Sequence, residues 1–369
     1  MRSTVVSAVV GGVAFVGACG VAAASVNGSG ASFPNAAYSK WCSDSKLCSY
    51  TSKGSGGGIT DFTNGVVDFA ASDAVLKDDQ LAALKSSRGG AGVVYFPTLL
   101  GAITVPVNLK DIKHLRLDGP TVAGIFKGSI TKWNDPKIAT DNKDVKPAVK
   151  LPNSSIAICV RADSSGTSSS FTRYLGNVDA DFATKIPASS TPNWPSGGSI
   201  LKQPGNAGVA NCVKTTDNAI GYVDLADAQN SGLGDKIAAI GAGTVAPVKK
   251  NPKKKKAPAA AKKTFVLPTS ASIAAAAKAP AAANDPNLTP DFTKFASRIP
   301  NAYPITITTW VLAYDDFGKA KKSGSLKGVK DVLNYFYGDT AQKQLAGIGY
   351  TALPAALLTR AKAKVGTLK

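Results

Sequence analysis

Short apolar runs of strand length alternate along the chain with segments of helical character, and this alternation predicts an α/β fold with mostly buried strands. The 369 residues are long for a single hydrophobic core, so we expect two lobes. The predicted strands are Val93–Phe96, Ile103–Val107, Ile156–Val160, Ile220–Val223 and Ile305–Leu312. The predicted helices are Pro34–Trp41, Asp78–Lys85, Ser168–Leu175, Gly328–Tyr337 and Pro354–Val365.

The N-terminus has the features of a secretory signal peptide. Residues 1–24 contain one arginine, then an apolar stretch, and end in Ala22-Ala23-Ala24, which predicts cleavage after Ala24. One alternative is an uncleaved anchor, because the apolar run approaches membrane-spanning length. Another is a lipid attached at Cys19. We therefore expect the mature chain outside the cytoplasm, in a periplasm or at a cell surface.

Four cysteines remain beyond this leader, and an exported protein can hold disulfides. Four cysteines allow three pairings. Cys42 with Cys48 would close a small loop after a helix, and Cys159 with Cys212 would then form the second bridge; the alternative is buried thiols. No cysteine pair has zinc-finger spacing, and the only histidine, His114, cannot complete such a site. We expect no metal and no cofactor.

The positive charge is unevenly spread: without eight lysines of one segment, 19 − 8 = +11 remains on the other residues. The formal net charge is +19, and eight lysines lie between Lys249 and Lys263. Residues 245–286 are rich in Lys, Pro and Ala, which predicts a disordered insert with room for a short helix near its end. The insert is either an exposed, self-repelling loop or a tether to an anionic surface. Because the charge is unevenly spread, we do not expect a nucleic-acid partner.

Four segments share small residues and hydroxyl side chains, and three of them stand just before a predicted helix. The first turn of a helix has unpaired N–H groups and a positive dipole end, and small residues let an anion approach them. Each segment alone is typical of an ordinary helix cap. None is a Walker loop, because no Gly-Lys-Ser/Thr follows. The segments are residues 27–38, 53–62, 67–74 and 161–171.

Taken together and in order, these segments resemble the phosphate-binding proteins of phosphate ABC transporters, the PstS family. The six matching motifs are "GASFP", "GSGGG", "VDFAASDA", "VRADSSGTS", "AIGYVDLA" and "AYPITITTW", spread from about residue 27 to 312. The resemblance implies a type II periplasmic-binding-protein fold, in which two crossing segments join two α/β lobes around a ligand cleft. It places lobe 1 at residues 25–100 plus 303–369 and lobe 2 at residues 102–301, in a monomer.

The resemblance also implies which residues bind inorganic phosphate. Asp73 matches the carboxylate that accepts the ligand's proton, and Arg161 matches a guanidinium that Asp163 holds in place. Ser32 stands where the family usually has threonine, and Gly56 stands where it often has a second serine. The implied phosphate ligands are Ser32, Phe33, Ser55, Asp73, Arg161, Ser165, Gly166 and Thr167.

The chemistry of these residue types agrees with the resemblance. Phosphate at neutral pH still carries a proton and sulfate does not, so a carboxylate facing the anion favours phosphate. A guanidinium offers a planar fork of donors to a tetrahedral oxyanion. The alternative for Arg161 is a surface salt bridge with Asp163.

We therefore expect a non-enzymatic protein that binds phosphate outside the cytoplasm and delivers it to a membrane ABC permease. A first alternative is a surface or matrix protein that binds anionic polymers through Lys249–Lys263. A second is a secreted phosphatase-like enzyme, although the sequence shows neither a metal-ligand set nor a Ser/His/acid triad.

Overall fold

The computed structural model describes residues 25–195, 199–242, 264–278, 285–294 and 299–369. The predicted signal peptide, Cys19 and the lysines from Lys249 to Lys263 lie outside these ranges. Within them, none of the helices combines the length and the apolar character that a membrane span requires.

The described residues form thirteen strands and thirteen α-helices in the alternating order that the sequence predicts. The strands are β1 Val26–Gly30, β2 Cys48–Ser52, β3 Phe69–Ser72, β4 Val93–Thr104, β5 Val107–Asn108, β6 Arg116–Leu117, β7 Ala157–Arg161, β8 Ile200–Gln203, β9 Ala219–Gly221, β10 Val223–Asp224, β11 Ala239–Ala242, β12 Thr264–Val266 and β13 Thr306–Tyr314. The helices are α1 Asn35–Ser45, α2 Gly54–Thr63, α3 Asp78–Ser87, α4 Gly119–Phe126, α5 Pro136–Asn142, α6 Gly166–Val178, α7 Ala180–Lys185, α8 Gly205–Thr215, α9 Leu225–Asn230, α10 Ser270–Ala276, α11 Leu326–Phe336, α12 Asp339–Gln344 and α13 Ala355–Val365.

A six-stranded sheet in the order β10-β4-β13-β3-β1-β2 forms the core of one lobe, here called the large-sheet lobe. Strands β1, β2 and β3 are parallel, whereas β13 runs antiparallel to β3 and β4. The sequence predicted two strands where β4 is a single one, because β13 pairs with it from Val93 to Ala102. The β13–β4 register shifts between Thr309 and Trp310, where Trp310 pairs with Pro97. A proline has no N–H for the ladder, and such positions favour a bulge.

A four-stranded sheet in the order β5-β9-β7-β8 forms the second lobe, here called the small-sheet lobe. The chain enters it from β4 through residues 105–106 and returns to the large sheet at β13 after residues 299–305. The lobe boundary expected at residue 101 thus falls inside β4, which stays paired with β13 as far as Ala102. The predicted strand Ile220–Val223 is divided at Tyr222, because β9 lies in the small sheet and β10 in the large one.

The insert predicted at residues 245–286 is ordered over residues 264–278, where the short helix that the sequence allowed is present as α10. Strand β12 pairs antiparallel with β11, as part of a three-stranded sheet in the order β12-β11-β6. Helix α10 begins at a capping box, in which Thr269 Oγ1 accepts a 3.1 Å hydrogen bond from the Ser272 N–H. Ile273 and Ala276 on this helix are buried. The segment is ordered because it supplies its own cap and an apolar face.

Both candidate disulfides are present. Cys42–Cys48 joins α1 to β2. Cys159–Cys212 joins β7 to α8 across 53 residues of sequence. The second bridge holds together two elements of the small-sheet lobe that both contribute side chains to the cleft.

Candidate anion-binding cleft

The predicted ligands lie where strands of both lobes end. In the large-sheet lobe, Ser32 follows β1, Ser55 is the second residue of α2 after β2, and Asp73 follows β3. The carboxyl ends of these parallel strands share one edge of the sheet, the usual place for ligands in α/β folds. In the small-sheet lobe, Arg161 ends β7 and Gly166 begins α6. The two sets face each other across the interface between the lobes.

Hydrogen bonds join the two sets directly. Ser55 Oγ accepts from the Gly166 N–H at 2.9 Å and from the Asp73 N–H at 3.4 Å. The Thr167 hydroxyl donates to Asp73 Oδ2 at 3.2 Å, and the Ser170 hydroxyl donates to the Asp73 carbonyl oxygen at 3.1 Å. All five residues are buried. The cleft is therefore closed, with main-chain amides and hydroxyl groups of both lobes in contact around one carboxylate.

Only glycine fits at position 166. A Cβ atom there would lie 2.6 Å from Ser55 Oγ and 2.7 Å from the Asp73 nitrogen, both on the opposite lobe. Real Cβ contacts do not reach such distances, so a larger residue would hold the lobes apart. The glycine at the start of α6 lets the first helical turn approach the other lobe closely.

Asp73 is only 2% exposed, and its carboxyl group has a shifted pKa. Burial disfavours its charge and raises its pKa to about 6, against a downward influence from the Thr309 hydroxyl, the Arg161 charge and the Thr167 hydroxyl. The Thr309 hydroxyl donates to Oδ1 at 2.8 Å. Both carboxylate oxygens therefore accept hydrogen bonds, one from each lobe.

Arg161 is 4% exposed, which excludes the surface salt bridge considered from the sequence. Its Nε donates to Asp163 Oδ1 at 2.7 Å, its Nη2 donates to Asp163 Oδ2, and its Nη1 donates to Asn206 Oδ1 at 3.1 Å. These bonds use three of the five N–H groups and leave one on each terminal nitrogen. The pKa of Asp163 is lower than its usual value. Partial burial of this carboxyl raises the pKa, but the hydrogen bonds and the charge of Arg161 lower it by more.

Asn206 is a residue of the cleft that sequence reasoning missed. It is 0% exposed, and its backbone N–H donates to Ser32 Oγ at 3.3 Å across the lobe interface. Its side-chain Nδ2 lies 3.4 Å from Thr167 Oγ1 while its Oδ1 holds Arg161. The sequence does contain a pattern that could have indicated Asn206. In "QPGN", a glycine and a polar residue follow the end of a strand and begin a helix, as in the other segments of the cleft. Thr309, also missed, gives no such signal because it lies within β13.

Two of the predicted ligands, Ser165 and Phe33, also have structural roles. Ser165 Oγ caps α6 by accepting from the Ser168 N–H at 3.1 Å. The Phe33 ring packs in the core against Tyr350, with ring centroids 6.0 Å apart, and the Tyr350 hydroxyl donates to the Phe33 carbonyl oxygen at 2.6 Å. The resemblance to the PstS family implies a backbone N–H donor at Phe33, and a buried side chain is consistent with that role.

Two cavities adjoin the cluster. One, of about 320 Å³, is lined by Ser32, Gly54, Asp163 and Asn206 among others. The other, of about 240 Å³, is lined by Ser55, Ser72 and Ser164 among others. Across the ranges that the structure describes, no cluster of His, Cys, Asp and Glu could hold a metal ion. The groups that meet here are amides, hydroxyl groups, the Arg161 guanidinium and the carboxylates of Asp73 and Asp163, with Asp227 at the edge of one cavity.

Comparison with known proteins agrees with this architecture. The family model of the PBP superfamily domain matches residues 17–340. The phosphate-binding protein PstS of Xylella fastidiosa strain Temecula1 is 31% identical over 345 residues, which cover 92% of this chain and 84% of that protein. The phosphate-binding protein PstS of Methanocaldococcus jannaschii is 31% identical over 341 residues, covering 88% and 81%.

Solved structures share the fold. The periplasmic phosphate-binding protein PfluDING, bound with phosphate, superposes with a TM-score of 0.69 at 22% identity over 92% of this chain and 93% of that one. The phosphate-binding protein of Stenotrophomonas maltophilia gives a TM-score of 0.65 at 24% identity, with the same coverage. The chain thus has the two-lobed periplasmic-binding-protein fold, and it belongs to the PstS family within the PBP superfamily.

Proposed function

We propose that this chain binds inorganic phosphate between its two lobes and delivers it to a membrane ABC permease outside the cytoplasm. The observation that carries the proposal is the placement of one buried carboxylate and one buried guanidinium in a single network of hydroxyl groups and amides. Thr167 belongs to both halves of that network, because it contacts Asp73 on one side and Asn206, the partner of Arg161, on the other.

The ionised Asp73 explains why the ligand is a protonated oxyanion. An acceptor-only carboxylate repels an anion unless a proton lies between them. Phosphate supplies that proton at neutral pH and sulfate does not, so the wrong anion leaves a buried acceptor unpaired. Such mismatches can discriminate by a factor of about 10⁴ or more.

The remaining groups suit the other oxygens of the anion. Arg161 keeps one N–H on each terminal nitrogen, and a fork of this kind matches two oxygens of a tetrahedral anion. The first turn of α6 and the starts of α1 and α2 add amides and hydroxyl groups. We propose as phosphate ligands Ser32, Phe33, Ser55, Asp73, Arg161, Ser165, Gly166 and Thr167, with Asp163 in support.

The names of the relatives support the biological role. Both PstS relatives are named phosphate-binding proteins, and the PfluDING structure is described as periplasmic and bound with phosphate. These relatives are binding proteins and not hydrolases. The single histidine of the sequence, His114, is exposed, and its Nδ1 lies 3.3 Å from the Ile237 carbonyl oxygen and not against a serine and an acid as a triad requires.

Calorimetry with the purified protein tests the proposal. We expect phosphate and arsenate, which are both protonated near pH 7.5, to release binding heat with one site per chain. Sulfate at the same ionic strength is expected to give no comparable signal. Sulfate affinity equal to that of phosphate would contradict the role of Asp73, and no heat from any of the three anions would contradict the function itself.

A further inference from the structure

Thr309 lies in the middle of β13, yet its hydroxyl reaches the cleft carboxylate. The side chain is 0% exposed, and Oγ1 is 2.8 Å from Asp73 Oδ1. The register of β13 against β4 shifts at this residue, between Thr309 and Trp310. Bulges of this kind re-aim a side chain next to a functional site. The local irregularity thus directs a hydroxyl group at the far oxygen of Asp73.

The direction of this hydrogen bond follows from the distances. A threonine hydroxyl has one proton to donate, and Thr309 Oγ1 has two acceptors within reach. Asp73 Oδ1 is at 2.8 Å and the Ser72 carbonyl oxygen is at 3.4 Å. The shorter contact takes the proton. Asp73 Oδ1 is therefore an acceptor, and Oδ2, which Thr167 contacts from the other lobe, is the oxygen turned toward the ligand side.

We propose that Thr309 is a positioning residue that determines specificity: its hydroxyl keeps Asp73 in the acceptor-only form and directs Oδ2 at the ligand's proton. The inference rests on the proposed function, since it concerns how the same site separates phosphate from sulfate. Without this donor, Asp73 protonates more readily. A protonated Asp73 offers a hydrogen instead of requiring one, and an unprotonated oxyanion such as sulfate then fits.

The other groups around Asp73 do not replace Thr309. Arg161 is the positive charge acting on it, from β7, and the hydroxyl of Thr167 faces it from α6. Three phenols interact electrostatically with it: Tyr38 on α1, Tyr50 on β2, and Tyr350. Burial of their hydroxyl groups raises the pKa of each, so all three are neutral at pH 7. Among these groups, Arg161 and Thr167 are committed to the ligand, and Thr309 is the donor that stays on Asp73 when the ligand binds.

The test is a pH series of phosphate and sulfate affinities for wild type, Thr309→Val and Thr309→Ser at constant ionic strength. Thr309→Val keeps the shape and removes the donor; Thr309→Ala serves the same purpose if the valine variant does not fold. We expect the pH below which sulfate competes with phosphate to rise by about 1 unit in Thr309→Val, and the phosphate-to-sulfate affinity ratio at pH 7 to fall roughly tenfold. Thr309→Ser should behave as wild type.

Thr308→Val is the matched control. Thr308 is the buried neighbour in β13, and its hydroxyl donates to the Leu99 carbonyl oxygen at 2.8 Å. It should lower stability without moving the sulfate profile. A Thr309→Val profile identical to that of Thr308→Val overturns the inference, and so does a shift toward lower pH, which would mean that the hydroxyl accepts from Asp73. A wild-type protein that binds no phosphate would refute the proposed function instead.

Discussion

Replacing Asp73 by asparagine should stabilise the ligand-free protein at neutral pH while removing its selectivity. Burial raises the pKa of this carboxyl to about 6 from an ordinary value of 3.8. A group whose pKa is raised on folding favours the folded state below its unfolded pKa, and that contribution is lost as the pH rises through the folded pKa. Each unit of pKa difference corresponds to about 1.4 kcal/mol. At pH 7.5 the carboxylate therefore costs up to about 3 kcal/mol.

Calorimetric unfolding in buffers without phosphate or sulfate measures this effect. We expect Asp73→Asn to unfold several degrees above wild type at pH 7.5, and the difference to shrink toward zero at pH 4. The control is Asp339→Asn, whose side chain is 84% exposed. An Asp73→Asn protein that is less stable than wild type at pH 7.5, or a gain that does not depend on pH, would refute the electrostatic reasoning.

Three further changes test other parts of the cleft. Gly166→Ala should weaken phosphate binding at least tenfold by titration calorimetry, because its methyl group would lie 2.6 Å from a hydroxyl oxygen of the opposite lobe; Gly347→Ala, with open space around it, should not. Asn206→Ala removes a buried partner of Arg161 and should reduce phosphate affinity by about 1–3 kcal/mol, whereas unchanged affinity would remove its assigned role. Replacing Cys159–Cys212 with two serines should lower the free energy of unfolding by about 4 kcal/mol in urea titrations, and a loss below about 1 kcal/mol would contradict the loop-closure argument.

The sequence predicted those parts of the cleft that lie on short contiguous motifs. Local chemistry indicated the segments, because hydroxyl groups and small residues stand where strands end or helices begin, whereas the resemblance to the PstS family implied the individual residues Ser55, Asp73, Gly166 and Thr167. The structure brings these four into direct contact across the lobe interface. The disulfides Cys42–Cys48 and Cys159–Cys212 could also be predicted from the sequence, because four cysteines allow only three pairings.

What the sequence could not predict depends on partners distant in the chain. Thr309 lies in the matching motif "AYPITITTW", but nothing local distinguishes it from the other threonines there; only the bulge and the register of β13 beside β3 bring it to Asp73, 236 positions away. The continuity of β4 through Pro97 likewise requires β13 as a partner. For residues 264–278, composition left room for a short helix but did not indicate strand β12; the cap and the apolar face of α10 order this segment.

The most direct test of the account is a crystal structure of the protein grown with phosphate. We predict one oxyanion held between the lobes, with an oxygen at hydrogen-bond distance from Asp73 Oδ2 and other oxygens bound by Arg161, Thr167 and Ser55. A phosphate that contacts only one lobe, or that lies away from Asp73 and Arg161, would contradict the central claim.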